Sequence, residues 1–207
     1  MVARPTPIKL LEIAIMLGLA LGSPKPVARA DNAGSVDQKK EETRALWVTR
    51  WDYKTPEHVR AIVSNAAQYG FNTLYFQVRG EATTYYPSDI EPWAWELSSK
   101  DDVSLTGTDP GWDPLALAIS EARKHGLDIH AYMNVLPGWK QEKAPPASSG
   151  QLFATHPEWF MVDAEGRTMD PKRLEFYAFL NPILPEVRAH LRLVFAEVAR
   201  RMLRGKD

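Results

Sequence analysis

The 207-residue sequence contains no cysteine. Within this sequence, disulfide bonds, a thiol nucleophile, a cysteine-ligated zinc site and an acylated lipoprotein cysteine are therefore excluded. The sequence also lacks an excess of charge of one sign, since 25 Lys and Arg residues stand against 26 Asp and Glu residues. Nucleic-acid-binding proteins usually carry a basic face, so this balance argues against a nucleic-acid partner.

Motifs for metals and cofactors are missing as well. The histidines, at positions 58, 125, 130, 156 and 190, are scattered and form no HExxH motif or paired spacing. There is no GxSxG segment to mark a serine nucleophile, and no GxxxxGKS/T loop to bind phosphate. The sequence therefore predicts neither a metal site nor a bound cofactor.

The N-terminal apolar stretch is short. It runs from Ile13 to Gly22, well below the roughly 20 residues that a membrane-spanning helix needs. Arg4 and Lys9 precede it and Ala28-Arg29-Ala30 follows it, a pattern typical of a cleaved export signal. The alternative is an uncleaved membrane anchor, and Glu12 at the edge of the stretch weakens both interpretations. We predict a signal peptide at residues 1–30 and a periplasmic or extracellular mature protein without a transmembrane span.

The remainder divides into a linker and a domain. Residues 31–43 are polar and lack periodicity, which predicts a mobile linker. From residue 44 to 207, strand signals at 45–50, 72–78 and 128–134 alternate with helices expected to begin at Pro56, Pro114 and Pro185. This alternation predicts an α/β fold with a parallel sheet and right-handed crossovers.

Loop lengths indicate where a functional site should lie. The helix-to-strand turns at 70–71 and 126–127 are short, whereas the strand-to-helix loops 79–112 and 135–184 are long and rich in aromatic and charged residues. In a TIM barrel or a doubly wound sheet, this end of the strands holds the ligand site. Strand one is not followed by a glycine-rich phosphate turn, which disfavours a dinucleotide fold. We therefore predict a TIM-type barrel with long strand-to-helix loops.

Six segments follow one another at plausible spacing: LWVTR, GFNTLYFQVRG, YYPSDIEPWAWEL, DPGWDPLALAISEARKHGLDIHAYMN, HPEW and FLNPILPEVR. Together they resemble the family-10 glycosyl hydrolase-like barrels of bacterial cell envelopes. The resemblance runs from about Arg44 to Leu203 and implies an N-terminal portion of such a barrel: an incomplete (β/α)8 TIM-type barrel, its first three βα units with long strand-to-helix loops. It implies a (β/α)8 barrel, secretion and hydrolysis of a polysaccharide partner, such as a peptidoglycan glycan strand.

The sequence departs from that family in two places. In relatives, the helix equivalent to residues 185–203 leads into a fourth strand that ends in aspartates of the type DGIHxDD, which is absent from this sequence. Relatives also carry an Asp-Ala pair in the loop after strand two, where this sequence has Thr83-Thr84. We therefore expect this chain to be an inactive fragment of a glycoside hydrolase-like protein. The alternative is a non-catalytic carbohydrate-binding relative.

Glycoside hydrolysis usually needs two carboxyl groups, so acidic residues near the strand ends are the first candidates. Asp52 and Glu81 have the better positions, one or two residues beyond a strand, but both are weak candidates and the catalytic residues stay unassigned. Asp113 is explained as a helix cap, and Glu91 is expected to pin a loop. The remaining acids of this group are Asp89 and Asp109.

Polar and aromatic residues at the strand ends are candidates for substrate contact, and no oligomeric state is indicated. Arg50, Gln77 and Arg79 end strands one and two, and the arginines serve equally well as salt bridges at the barrel mouth. On strand three, His130 is expected to lie deepest, and Asn134, at the tip, is the best single candidate. Aromatic loops suit sugar stacking, although small cores under the loops explain most such rings. The complete predicted substrate-binding set is Arg50, Trp51, Gln77, Arg79, Tyr85, His130, Tyr132, Asn134 and Trp139.

Overall fold

The computed structural model describes residues 42–98, 100, 102–169 and 177–204. The predicted signal peptide, residues 1–30, and all but the last two residues of the predicted linker, 31–43, lie outside these ranges. Among the described residues, no helix is long and apolar enough to cross a bilayer.

The described residues form an α/β domain around a parallel sheet, as the sequence predicts. Its elements are β1 (Ala45–Val48), α1 (Pro56–Gln68), β2 (Thr73–Arg79), α2 (Pro114–Lys124) and β3 (Asp128–Met133). The sheet order is β1-β2-β3, and both pairings are parallel. The carboxyl ends of the three strands therefore lie along one edge.

Both crossover helices begin where the sequence places them. Thr55 caps α1 by accepting a hydrogen bond from the His58 backbone N–H at 3.4 Å. Asp113 caps α2 by accepting from the Ala116 N–H at 3.0 Å. Each cap is followed by a proline at the first helical position, where its fixed φ suits the helix and no N–H is needed. The interpretation of Asp113 as a helix cap is confirmed.

The two faces of the sheet have different environments. One face packs against α1 and α2, and its core includes Val48, Leu74 and Phe76, none more than 1% exposed. The opposite face carries an aromatic row in which the Trp47 ring lies 5.0 Å from Tyr75 and 4.6 Å from Tyr132. Trp47 is 60% exposed, so nothing among the described residues covers this end of the row.

The second long loop contains more structure than the sequence predicts. It forms β4 (Pro137–Trp139), the short helix α3 (Leu152–Thr155) and β5 (Ala178–Phe179), with β4 and β5 antiparallel. Their side chains make a second core, which includes Leu152, Phe160 and Leu180. A Cβ on Gly138 would overlap the Phe160 ring, so this glycine allows the strand to lie directly on the core. This loop is ordered because its apolar residues, far apart in sequence, bury one another.

The last helix, α4 (Pro185–Arg204), connects both cores. Val187 and Leu191 pack in the second core, and Val198 packs in the first. A buried carboxylate fixes the helix to the loop after β2: Glu197 accepts from the Ser88 hydroxyl at 2.6 Å and from the Asp89 N–H at 2.9 Å. It also accepts from the Tyr86 hydroxyl at 2.9 Å.

Candidate functional site

Arg50 is the centre of the polar groups at the carboxyl edge of the sheet. It follows β1, is 1% exposed, and its backbone N–H donates to Gln77 Oε1 at 2.9 Å. Its guanidinium donates from Nη2 to Glu81 Oε1 at 2.7 Å, and its Nε lies 3.1 Å from Glu96 Oε1. Burial lowers the pKa of Arg50, but the neighbouring acids, Tyr85, Glu96 and Glu81 foremost, outweigh it and raise the pKa above its ordinary value. Arg50 is therefore a fixed, buried cation shared between two carboxyl groups.

Glu81 is the better hydrogen-bonded of the two carboxyl groups. Besides the Arg50 guanidinium, it accepts from the Lys140 backbone N–H at 3.1 Å and from Gln141 Nε2 at 3.2 Å. Burial raises the pKa of Glu81 from 4.5, while Arg50 and these hydrogen bonds lower it and offset part of the shift. Its side chain is 1% exposed, so a ligand cannot reach this carboxyl group in the described arrangement.

Glu96 is the second carboxyl group, and the sequence analysis did not single it out. It lies in a 3₁₀ helix at Trp95–Leu97 and is 1% exposed. Burial raises its pKa from 4.5 to about 7, with Arg50 lowering it and Glu81 raising it further. Its only sequence signal is its place in the YYPSDIEPWAWEL segment, because nothing local shows that residue 96 folds back onto Arg50.

The tight loop after β2 brings these groups together. A Cβ on Gly80 would lie 2.6 Å from Arg50 Nη1 and 3.0 Å from the Tyr85 hydroxyl, so only glycine fits beside the guanidinium. Two residues on, Ala82 has a φ of 53°, which is the left-handed region that non-glycine residues rarely adopt. This strain lies next to Glu81, where the chain turns sharply to point that side chain at Arg50.

Gln77, on β2, connects Arg50, which follows β1, to Tyr132 on β3. Its Oε1 accepts from both the Arg50 N–H and the Tyr132 hydroxyl, each at 2.9 Å. Its Nε2 donates to the Arg79 carbonyl at 3.1 Å. Gln77 is 3% exposed, so its hydrogen bonds hold the strand ends together, and Tyr132 is the more accessible of the pair.

Arg79 has a structural environment. Its Nε and Nη2 each lie 2.7 Å from Glu91, and its Nη1 donates to the carbonyls of Asn134 and Val135. Burial raises the pKa of Glu91, but Arg79 and His190 outweigh it and hold the pKa at about 2. This arrangement corresponds to the salt-bridge interpretation of Arg79 and to the expectation that Glu91 pins a loop.

The accessible part of the site consists of aromatic and amide groups around Arg50. Trp51 is 52% exposed, and its ring centre lies 4.5 Å from the Arg50 guanidinium carbon. The half-buried Tyr177 accepts from Arg50 Nη2 at 3.1 Å, and the Lys140 ammonium lies 5.4 Å from its ring. Tyr177 and Lys140 come from the second long loop, and neither was predicted. We call this group the strand-end cluster: Arg50, Trp51, Gln77, Glu81, Glu96, Tyr132, Lys140, Gln141 and Tyr177.

Three predicted substrate-binding residues differ from the expectation. Tyr85 and Trp139 are fully buried, and Trp139 stacks 6.5 Å from Phe153 in the second core, so neither ring presents a free face. His130 was expected to lie deepest, but it is exposed because no described element covers the amino end of that face. Asp52 is exposed, and its carboxylate accepts from the Thr49 N–H at 2.6 Å, which closes the turn after β1.

Metal binding finds no support in this arrangement. Within the described ranges, no group of three or more His, Asp or Glu side chains is placed to hold an ion.

The predicted aromatic loops are mostly small cores: Tyr53, Tyr85, Tyr86, Trp95 and Trp139 are all buried. Among the aromatic rings of the strand-end cluster, Trp51 is therefore the most exposed.

The sequence matches a known protein family. The profile of the glycosyl hydrolase-like 10 family matches residues 42–203, most of the chain. The chain belongs to that family. Glycosyl hydrolase DigH of Escherichia coli is 26% identical over 214 residues, covering 87% of this chain and 48% of DigH. Glycosyl hydrolase YngK of Bacillus subtilis is 27% identical over 164 residues, covering 73% of this chain and 29% of YngK.

This member of the glycosyl hydrolase-like 10 family therefore spans about half the length of DigH and less than a third of the length of YngK. Among solved structures, a hypothetical protein from Ruminiclostridium thermocellum aligns with a TM-score of 0.48 and 14% identity, covering 77% of this chain and 70% of that one. An α-galactosidase from Thermus thermophilus aligns with a TM-score of 0.46 and 16% identity, covering 79% of this chain and 29% of the other.

Proposed function

We propose that the protein acts, after export, on a cell-envelope polysaccharide such as a peptidoglycan glycan strand, and that the strand-end cluster binds this glycan. The observation that carries the proposal is the exposed Trp51 ring held over the buried Arg50 guanidinium at the carboxyl edge of a parallel sheet. Membership of a glycosyl hydrolase-like family supports a carbohydrate ligand. The proposal treats the three strands as part of a TIM-type barrel, whose ligands bind at this edge.

The accessible groups suit a sugar. Aromatic rings stack on the apolar faces of sugar rings, and the rings of Trp51 and Tyr177 lie 4.5 and 5.8 Å from the Arg50 guanidinium carbon. Lys140 and Gln141 add donors beside these rings, and the Tyr132 oxygen, whose proton is donated to Gln77, can accept from a glycan hydroxyl. The Arg50–Glu81 ion pair fixes the position of the guanidinium beside these rings.

Hydrolysis requires more than this surface provides. A general acid must reach the glycosidic oxygen, yet Glu81 and Glu96 are both 1% exposed. Asp52 is exposed, but its carboxylate accepts from the Thr49 N–H and hydroxyl in a local turn. The described residues therefore favour binding, and we propose that this chain alone binds the glycan without cleaving it.

A specific observation supports the second candidate, a non-catalytic carbohydrate-binding protein. Thr83 and Thr84 stand where the family resemblance leads us to expect an Asp-Ala pair, and both are buried, at 1% and 0% exposure. Thr84 donates from its hydroxyl to the Tyr86 carbonyl at 3.0 Å, so it serves the loop. Neither threonine can transfer a proton as an aspartate does.

Two assays on the purified protein test the proposal. A pull-down with insoluble peptidoglycan measures binding, and the release of reducing ends from soluble glycan strands measures cleavage. We expect binding without cleavage. Reducing-end release would overturn the claim that this chain alone is inactive, and the absence of both binding and cleavage on cell-wall glycans would overturn the proposed ligand.

A further inference from the structure

We infer that Glu96 is a positioning residue that keeps its proton near neutral pH, which leaves Glu81 as the ionised partner holding Arg50 beneath Trp51. The consequence for glycan binding rests on the proposed function, whereas the placement of the proton does not. Neither the family membership nor the sequence motifs assign Glu96 a role.

The buried part of the cluster holds more negative than positive groups. Arg50, Glu81 and Glu96 have side chains that are each 1% exposed, so a single cation faces two carboxyl groups away from water. The other titratable groups around Glu96 are Tyr53 and Tyr85, whose pKa values burial raises well above 10, so both phenols stay neutral. Two buried carboxylates with one cation would leave a net negative charge without solvation, and proteins relieve this by binding a proton.

The hydrogen bonds of the two carboxyl groups indicate which of them holds that proton. Glu81 accepts hydrogen bonds from Arg50 Nη2, the Lys140 N–H and Gln141 Nε2, all of which favour its ionised form. Glu96 is less well supported: the contact of its Oε1 with Arg50 Nε at 3.1 Å lacks hydrogen-bond geometry, and among its hydrogen-bonding neighbours only the Tyr85 hydroxyl and its own backbone N–H favour the ionised form. The raised pKa of Glu96 agrees with this assignment.

A protonated Glu96 has an acceptor nearby for its hydrogen. The Tyr85 hydroxyl is buried and close enough to Glu96 to affect its pKa, and within the described part of the chain no other group meets hydrogen-bond geometry with it. It lies beside the guanidinium, since a Cβ on Gly80 would be 3.0 Å from it and 2.6 Å from Arg50 Nη1. A neutral Glu96 can donate to this oxygen, whereas an ionised Glu96 would compete with Glu81 for Arg50.

The protonation state of Glu96 affects the surface around Trp51 that we propose for the glycan. Ionisation of Glu96 above neutral pH would attract the Arg50 guanidinium toward Glu96. The guanidinium would then move away from Glu81 and the Tyr177 hydroxyl, both of which accept from its Nη2. Because Trp51 lies on the same guanidinium, the aromatic surface that we propose for the glycan would loosen. Glycan affinity should therefore fall several-fold between pH 6 and pH 8.5, and Glu96→Gln, which mimics the neutral acid, should remove this dependence.

The test is a carboxyl titration by NMR, with carbon-13 at the δ position of glutamate. We expect one buried glutamate that titrates near neutral pH, and we expect Glu96→Gln to remove its signal. Glu197→Gln is the matched control, since Glu197 is a buried carboxylate bound to Tyr86 and Ser88 outside the cluster. That control should leave the near-neutral titration in place.

A second variant keeps the test decisive if Glu96→Gln fails to fold. Glu81→Gln removes the competing carboxylate and leaves Arg50 to Glu96, so the near-neutral titration should move toward the ordinary glutamate range. A near-neutral titration that persists in Glu96→Gln, or that does not move in Glu81→Gln, would overturn the inference. If the titration behaves as expected but no glycan binds at any pH, the proposed function fails and the proton assignment stands.

Discussion

Arg79 and Glu91 form a completely buried bidentate ion pair, with both nitrogen–oxygen distances at 2.7 Å. The pair joins the end of β2 to the loop that follows it, and His190 Nε2 on α4 lies 2.9 Å from the same carboxylate. Replacement of one partner would leave the other charge buried without compensation. Breaking a buried ion pair in this way is strongly destabilising.

Glu91→Gln should therefore reduce the free energy of unfolding by about 3–5 kcal/mol, the range for breaking a buried ion pair. Chemical denaturation measures this loss. Glu57→Gln provides the control, because Glu57 pairs with Arg60 on the exposed surface of α1, and it should produce no measurable change. A loss for Glu91→Gln no larger than that of the control would show that the pair does not support the fold.

The same pair predicts sensitivity to acid. The pKa of Glu91 in the folded protein, about 2, lies below its ordinary value of 4.5. The unfolded chain therefore binds more protons between these values, and the stabilisation is present above pH 4.5 and lost as the pH falls toward 2. Denaturation between pH 5 and pH 3 should show a falling unfolding free energy, with a shallower slope in Glu91→Gln.

Glu96 predicts a pH dependence of the opposite sign. Its pKa of about 7 in the folded protein lies above 4.5, so the folded state binds more protons in this interval and the unfolding free energy should decline as the pH rises. The shift corresponds to on the order of 3 kcal/mol at about 1.4 kcal/mol per pKa unit. Glu96→Gln should flatten the decline between pH 5 and pH 7.5. An unchanged slope in this variant would contradict the assignment.

Gly80→Ala tests the tight approach of the loop to Arg50. The added Cβ would lie 2.6 Å from Arg50 Nη1, so the guanidinium must move, and we expect a loss of about 1–3 kcal/mol together with weaker glycan binding. Gly111→Ala is the matched control: its φ is +79° but no atom lies within 4 Å of the new Cβ. It should cost only about 1–2 kcal/mol of backbone strain and leave binding unchanged. Equal binding by both variants would contradict the role of Gly80.

Glu197→Gln should loosen the attachment of α4. The amide cannot accept from all the donors that the carboxylate satisfies, namely the Tyr86 and Ser88 hydroxyls and the Asp89 N–H. We expect a loss of about 1–3 kcal/mol and faster hydrogen exchange along α4, with α1 unaffected. Glu186→Gln, at the exposed first turn of the same helix, is the control. Equal exchange in the two variants would show that Glu197 does not fasten the helix.

Local sequence signals predict the sheet and its helices because they rest on short-range physics. Thr55 and Asp113 cap helices through hydrogen bonds within three residues, and the β-rich run around Phe76 forms a buried strand. The same reasoning brings Arg50 and Gln77 to one edge, since the carboxyl ends of parallel strands meet there. These features can be predicted without knowledge of the tertiary contacts.

The cluster itself depends on contacts that no local signal encodes. Tyr177 bonds to Arg50 across 127 positions, and Gln141 to Glu81 across 60. Glu96 folds back along a long loop, and Trp139 is buried because β4 pairs with β5. His130 was placed too deep because strand alternation gives the face of a residue but not what covers that face.

The most direct test of the central claim is the affinity of a soluble peptidoglycan glycan strand, measured by titration calorimetry for the wild type, Trp51→Ala and Tyr69→Ala. Trp51 and Tyr69 are both exposed aromatic residues, at 52% and 76%, and Tyr69 lies at the far end of α1. We predict about tenfold weaker binding for Trp51→Ala, near the upper end of a single aromatic contact, and unchanged binding for Tyr69→Ala. Equal affinities for all three proteins would contradict a glycan site at Trp51 and Arg50.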